Sequence, residues 1–121
     1  MTTILLKRVY EPMGKSDGFR VLVDRLWPRG LKKETAHLDV WMKEVAPSSD
    51  LRKWFSHDPG KWIEFSKEYK AELKKSFQAA ELIRYCKKHK TVTLLYSAKD
   101  EEHNQALVLQ RFIKGVLNRN D

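Results

Sequence analysis

The sequence predicts a small α/β protein in which helices cover a mostly parallel sheet in a three-layer sandwich. Three observations support this prediction. Strand-favouring residues occupy 3–10, 19–26 and 91–97, and apolar residues recur at helical spacing between the last two of these segments. Residues 91–97 carry no formal charge, as expected of a central strand. Residues 21–23 form an uninterrupted apolar run, which is typical of a strand buried on both faces.

The first two strands are expected to lie side by side at one edge of the sheet. The strand at 3–10 is followed by residues 11–18, which have the Pro, Gly, Ser and Asp content of a loop. The strand at 19–26 ends before Pro28 and Gly30, because neither residue allows a ladder or a helix to continue.

Helical spacing begins after this second strand. Apolar residues at i, i+3, i+4 and i+7 predict a first helix over residues 38–45, which Pro47 ends. Ser48 or Ser49 is expected to cap the second helix, and Asp58 the third. The inward-facing residues of the four later helices are predicted to be Leu51, Trp54 and Phe55; Trp62, Phe65, Tyr69 and Leu73; Ala79, Leu82, Ile83 and Cys86; and Ala106, Leu109, Phe112, Ile113 and Val116. The predicted class is Rossmann-like, with a strand order that these patterns do not reveal.

Composition indicates one folded domain over residues 1–121. Hydrophobic residues make up 41% of the chain and charged residues 33%, which argues against both disorder and a membrane protein. Lys7 and Arg8 lie where a signal peptide would be apolar, and the single cysteine, Cys86, allows no internal disulfide. We therefore expect a cytoplasmic protein.

The formal net charge of +8 favours an anionic partner. Residues 1–33 and 67–90 are the basic blocks, and residues 34–66 are slightly acidic. A phosphorylated or carboxylated small molecule fits this pattern. Nucleic acid is the alternative, bound through the lysine-rich faces at 67–75 and 87–90. A non-catalytic protein-interaction module, anchored by Trp27 and Arg29, is a further alternative.

Polar residues follow two of the predicted strands, at 24–29 and at 97–104. Ligands of open α/β sheets bind beyond the carboxyl ends of strands, so parallel strands here would bring both segments together. Arginine supplies forked donors for phosphate or carboxylate, and a carboxylate serves as a base or orients an arginine. The predicted ligand-binding residues are Arg25, Trp27, Arg29, Ser97, Lys99 and Asp100, and the predicted catalytic residues are Asp24 and Asn104. In the competing interpretation, Asp24 and Arg25 form a structural ion pair and Trp27 belongs to the core.

Other chemistry has little support in the sequence. It contains no glycine-rich dinucleotide motif, phosphate-binding loop or nucleophile elbow, so no nucleotide cofactor is expected. The four histidines lack metal-ligand spacing, so no metal site is expected, and His103 is the best placed of them for acid–base work. Cys86 falls on the apolar face of a helix, where a buried and inert thiol is the usual state.

Three long segments carry a family resemblance. Residues 23–30 read Val-Asp-Arg-Leu-Trp-Pro-Arg-Gly, residues 46–59 read Ala-Pro-Ser-Ser-Asp-Leu-Arg-Lys-Trp-Phe-Ser-His-Asp-Pro, and residues 93–100 read Thr-Leu-Leu-Tyr-Ser-Ala-Lys-Asp. Together they resemble the YeaO-like branch of the bacterial domain-of-unknown-function family 488. That family has no established activity, so the resemblance implies no particular reaction.

The resemblance also bears on cysteine chemistry. In the broader family, the strand that matches residues 92–96 commonly ends in a cysteine, and a Cys-His-Arg element follows shortly after. Here Tyr96 and the segment His103-Asn104-Gln105 hold those places. Both thiols are absent, so thiol chemistry does not carry over to this chain.

Overall fold

The computed structural model describes residues 2–119 and contains a four-stranded, all-parallel sheet. The strands are β1 (Thr3–Arg8), β2 (Phe19–Leu22), β3 (Val40–Trp41) and β4 (Thr91–Tyr96), and the α-helices are α1 (Lys33–Ala36), α2 (Ser49–Phe55), α3 (Trp62–Lys74), α4 (Phe77–Lys88) and α5 (Gln105–Arg119). The predicted α/β class and parallel sheet are confirmed. None of the helices within residues 2–119 combines the length and apolar character that crossing a membrane requires.

The order of the strands is β1-β4-β2-β3, so β4 lies between the first two strands of the chain. The prediction that those two strands are neighbours is wrong. Both pair with β4 instead, because its charge-free sequence suits the centre of the sheet. Gly18 permits close approach to β4, since a Cβ at this position would lie 2.3 Å from the Thr91 carbonyl oxygen.

The larger hydrophobic core lies between the sheet and helices α2 to α5. Val92, Leu94 and Tyr96, alternate residues of β4, point into it, as the two-residue period of a strand requires. The apolar faces predicted for α3 and α4 lie in this core, as do Ala106, Leu109, Phe112 and Ile113 of α5, and Cys86 is fully buried as expected. Two predicted inward residues are wrong: Leu117 rather than Val116 packs on the core from α5, and Trp54 of α2 is 42% exposed. Burial raises the pKa of the Cys86 thiol to about 12, so this thiol is inert at neutral pH.

The opposite face of the sheet is covered by a thinner layer formed by α1 and its flanking segments. A small apolar cluster joins Leu22 and Leu95 to Trp27 and Trp41. Beside it, the buried carboxylate of Asp17 accepts hydrogen bonds from Lys7, Arg20 and the Gly14 backbone. Arg20 also donates to the carbonyls of Ala36 and His37, which fixes α1 against this face.

The helix predicted over residues 38–45 is wrong. This segment contains the short strand β3 and a 3₁₀ turn at Lys43–Val45. Leu38 and Trp41 enter the thin layer, whereas Met42 and Val45 enter the larger core on the other face of the sheet. The spacing imitates a single helical face, but the chain passes the sheet edge and supplies apolar residues to both faces.

Leu94→Ala tests the central position of β4. Leu94 is fully buried, so its truncation should lower the free energy of unfolding by about 2–5 kcal/mol, through lost burial and the cavity left behind. Ile63→Ala is the control, because Ile63 is 83% exposed and its truncation should change stability by no more than about 0.5 kcal/mol. Urea unfolding at neutral pH measures both variants. Equal losses would contradict the assignment of β4 to the centre of the core.

Candidate functional site

A cavity of about 550 Å³ opens at the carboxyl ends of β2 and β4. All the residues that the sequence marked as site candidates line it, from both predicted segments: Asp24, Arg25, Trp27, Arg29, Ser97, Lys99, Asp100 and Asn104. Their placement follows from the parallel pairing of adjacent strands. The Val23 backbone N–H donates to the Leu95 carbonyl, 3.0 Å away, and the segments that follow β2 and β4 separate beyond this bond. The chemical roles assigned to these residues remain predictions.

The segments after β2 and β4 form two walls of the cavity, and a third wall comes from residues 46–57, which follow β3 and include α2. Ser48 caps α2 by accepting a hydrogen bond from the Leu51 N–H, and its hydroxyl donates to the Glu72 carboxylate at 2.6 Å. The buried Tyr69 hydroxyl donates to the Val45 carbonyl, also at 2.6 Å. These contacts fasten the wall to α3, so it is held by the core rather than by the loops of the site.

Asp24 is a buried carboxylate with neutral hydrogen-bond donors. One oxygen accepts from the Ser97 backbone N–H at 3.0 Å, and the other accepts from Gln105 Nε2 at 2.6 Å. Burial raises the pKa of Asp24, while the hydrogen bonds from Ser97 and Gln105 limit the increase. Within residues 2–119 no cationic side chain forms an ion pair with Asp24. The carboxylate therefore ties the loop after β2 to the loop after β4 and to α5.

Arg25 does not form the ion pair with Asp24 that the competing interpretation requires. Its Nε and Nη2 atoms donate to the Pro47 carbonyl at 3.2 and 3.1 Å, and Nη2 also reaches the Ala46 carbonyl at 3.2 Å. The guanidinium thus bridges the loop after β2 and the third wall. Its Nη1 group has no hydrogen-bond partner in the described part of the chain.

Trp27 is shared between the cavity and the thin layer. Its indole N–H donates to the Leu31 carbonyl at 2.7 Å, and its ring contacts Trp41 edge to face at 5.4 Å. Trp41 in turn donates to the Asp24 carbonyl at 2.7 Å. The competing interpretation is therefore correct in giving Trp27 a packing role, although the ring also lines the cavity.

Three cationic side chains that line the cavity are exposed and unpaired. These are Arg29, Arg52 and Lys99, which we call the rim cations. None of the three forms an ion pair with a carboxylate anywhere in residues 2–119. The buried Pro28 and the positive φ of Gly30, 78°, shape the loop that carries Arg29. Together with Arg25, the rim cations outnumber Asp24 and Asp100, the only carboxylates among the lining residues.

The loop after β4 is held by its own side chains. Asn104 caps α5, because its amide oxygen accepts from the Leu107 N–H at 3.1 Å while its Nδ2 donates to the Asp100 carbonyl at 3.0 Å. The Asp100 carboxylate accepts from the Glu102 and His103 backbone N–H groups and contacts His103 Nδ1 at 2.9 Å. The Glu102 N–H is the main cause of the lowered pKa of Asp100, and His103 adds to it. Asn104 thus has a structural function that competes with the predicted catalytic one.

Several lining residues were not predicted from the sequence. Phe55 and Phe65 look like ordinary core positions of two helices, and Arg52 and His57 lie on a segment that is remote from both strand ends. Gln105 is the first residue of α5, and only its contact with Asp24 reveals its importance. Pro47 stands directly before Ser48, the cap of α2, and marks a rigid turn. This was the sequence feature that could have indicated the third wall. Among residues 2–119, no three His, Cys, Asp or Glu side chains are grouped so as to hold a metal ion.

Asp24→Asn should stabilise the protein at pH 7. Because the folded-state pKa of Asp24 is raised, stability falls as the pH rises from the unfolded-state value, near 3.9, through the folded-state value. The isosteric amide removes this loss and can keep the bond to the Ser97 N–H. Urea unfolding should therefore show a stability gain at pH 7 that shrinks towards pH 3.5. Asp50→Asn, at an exposed carboxylate of α2, should give no comparable gain at pH 7. A destabilised Asp24→Asn protein at pH 7 would contradict the assignment of an uncompensated buried charge.

Comparison with known proteins identifies the family of the chain. A family model described as the inactive DUF488-N3 subclade matches residues 3–121. The uncharacterized protein YeaO of Escherichia coli (strain K12) is 45% identical over 113 residues, which cover 93% of this chain and 98% of YeaO. The uncharacterized protein Rv3073c of Mycobacterium tuberculosis (strain ATCC 25618 / H37Rv) is 39% identical over 114 residues, which cover 94% of this chain and 96% of Rv3073c. No solved structure matches. The YeaO-like resemblance is thus confirmed, and the chain belongs to the DUF488 family, in its inactive DUF488-N3 subclade.

Proposed function

We propose that this protein binds a small anionic ligand, carrying a phosphate or a carboxylate, in the cavity at the carboxyl ends of β2 and β4. The observation that carries the proposal is the set of three rim cations and Arg25 around one cavity, without a carboxylate partner in residues 2–119. Like charges held close together repel one another, and an anion relieves this repulsion.

The chemistry of the four cations suits an oxyanion. Arginine presents paired donors that match two oxygens of a phosphate or carboxylate, and lysine adds a mobile point charge. Arg25 is already oriented by the Ala46 and Pro47 carbonyls, so its free Nη1 group needs little reorganisation to bind. The rim cations are exposed and would be ordered by the ligand.

Binding without turnover is the form of the proposal that the observations favour. The description of the family model as inactive supports it. Asn104, a predicted catalytic residue, caps α5 with its amide oxygen and binds the Asp100 carbonyl through its Nδ2. Asp24, the other one, has each oxygen engaged by a neutral donor. We further propose a bacterial cytoplasmic location, which the bacterial relatives and the lone buried thiol support.

The alternatives have weaker support. The lysines of α3 that suggested a nucleic-acid surface share this helix with Glu64, Glu68 and Glu72, so its exposed side carries both signs of charge. A protein-interaction module has the support of Leu26, an apolar side chain that is 65% exposed at the cavity.

Ligand-induced stabilisation tests the proposal. Inorganic phosphate, glycerol 3-phosphate, citrate, benzoate and phenyl phosphate should be screened by thermal shift, and the best compound measured by calorimetry. Arg29→Ala and Arg52→Ala should each weaken binding about tenfold or more, because each removes a charge-assisted hydrogen bond. Arg84→Ala is the matched control, since Arg84 is an exposed arginine of α4 that rests on Phe77, outside the cavity.

Two results would contradict the proposed function. One is the absence of any shift with every anion at low ionic strength. The other is equal weakening by Arg84→Ala, which would mean that the loss reflects overall charge rather than this cavity. Retention of the wild type on nucleic acid with a steep salt dependence, unaffected by Arg29→Ala, would favour the nucleic-acid alternative instead.

A further inference from the structure

We infer that the ligand of this site is amphipathic, with its anionic group attached to an apolar body about the size of an aromatic ring. The inference rests on the proposed function and adds the chemistry of the rest of the ligand. It comes from the inner lining of the cavity, because the rim cations account only for the charged end.

The inner lining is aromatic. Phe55 and Phe65 stack with ring centroids 4.2 Å apart and an interplanar angle of 18°, and both are almost fully buried while lining the cavity. Trp62 packs against both phenylalanines. The pair therefore forms a rigid apolar floor beneath the site, and the apolar surface that a ligand would contact comes mainly from the side walls.

The side walls extend this apolar surface. Pro28 and Trp27 line one side, Pro47 lines another, and Ala98 belongs to the loop after β4. Leu26 lines the cavity although it is 65% exposed. Burial of that side chain by a ligand would favour binding, because removing apolar surface from water lowers the free energy.

The two kinds of surface lie at different depths, which sets the orientation of the ligand. The phenylalanine floor is buried, whereas the rim cations are exposed. Asp24 is buried as well, and it would repel an anionic group that entered first. The apolar body therefore points inward, and the anionic group stays at the rim.

The size of the cavity argues against a bare oxyanion. Its volume of about 550 Å³ lies within the range typical of metabolite-sized ligands. Inorganic phosphate or acetate would occupy only a small part and leave the apolar side chain of Leu26 in contact with water. A ring that carries one anionic group would occupy more of this volume and add apolar contact to the charged one.

Matched ligand pairs test the inference on the wild-type protein. Benzoate and 3-phenylpropanoate are compared with acetate, and phenyl phosphate with inorganic phosphate, by calorimetry in one buffer at low salt. The ring-bearing member of each pair should bind at least tenfold more tightly, with a negative heat-capacity change that marks apolar burial. Benzyl alcohol, which has the ring without the charge, should bind more weakly than benzoate.

A cavity-filling variant gives a second readout. Ala98→Leu places a larger side chain among the apolar lining residues and should reduce the preference for phenyl phosphate over inorganic phosphate at least fivefold. Ala80→Leu is the matched control, because Ala80 is an exposed residue of α4 outside the cavity. It should leave that preference within twofold of the wild-type value.

The outcomes separate the inference from the proposed function. If the bare anions bind as tightly as the ring-bearing ones, the amphipathic ligand is overturned and the anion site stands. If benzyl alcohol binds as tightly as benzoate, the anionic requirement fails, and the proposed function fails with it. If none of these compounds binds, both are overturned.

Discussion

The parallel pairing of β2 with β4 is the constraint on which the site depends. These strands are separated by almost seventy residues of sequence, yet their hydrogen-bonded register ends at the same edge of the sheet. The segments that follow the two strands leave the sheet there, and their backbone groups, which no longer pair with a strand, must find other hydrogen-bond partners. Asp24 supplies one of them by accepting the Ser97 N–H, and through Gln105 it also fixes the first turn of α5. One carboxylate therefore connects three elements of the cavity.

The same contact explains why a costly group is kept. A buried carboxylate without a counterion is disfavoured, and neutral donors recover only part of its lost hydration. Hydrophobic burial elsewhere is extensive, since Val21, Leu22 and Leu94 are all fully buried. The sheet is therefore stable enough to tolerate the free-energy cost of the buried Asp24 carboxylate at its edge. Asp24 also places a buried carboxylate among the residues that line the cavity, in contrast to the exposed rim cations.

The sequence predicted an element correctly where one physical requirement determined its residues, and wrongly where the same residues met two requirements. The charge-free stretch of β4 could only be a buried strand, and the polar residues after it had to emerge at its end. Residues 38–45 serve both faces of the sheet at a spacing that imitates a helix. Phe55 and Arg52 were missed for another reason, because only the tertiary packing of α2 against α3 brings them to the strand ends. Local patterns predict elements, whereas a cavity wall is a property of how elements pack.

The positions where the resemblance to the broader family places thiols have structural functions here. Tyr96 ends β4 as a buried residue of the larger core, and burial raises the pKa of its hydroxyl, so it presents no anion at neutral pH. Asn104 caps α5, and Gln105 holds Asp24. At the positions where the resemblance places thiols, this chain therefore has side chains that hold the cavity in shape. The cations around the cavity lie at other positions, so the proposed anion site does not depend on the thiols that the resemblance associates with the broader family.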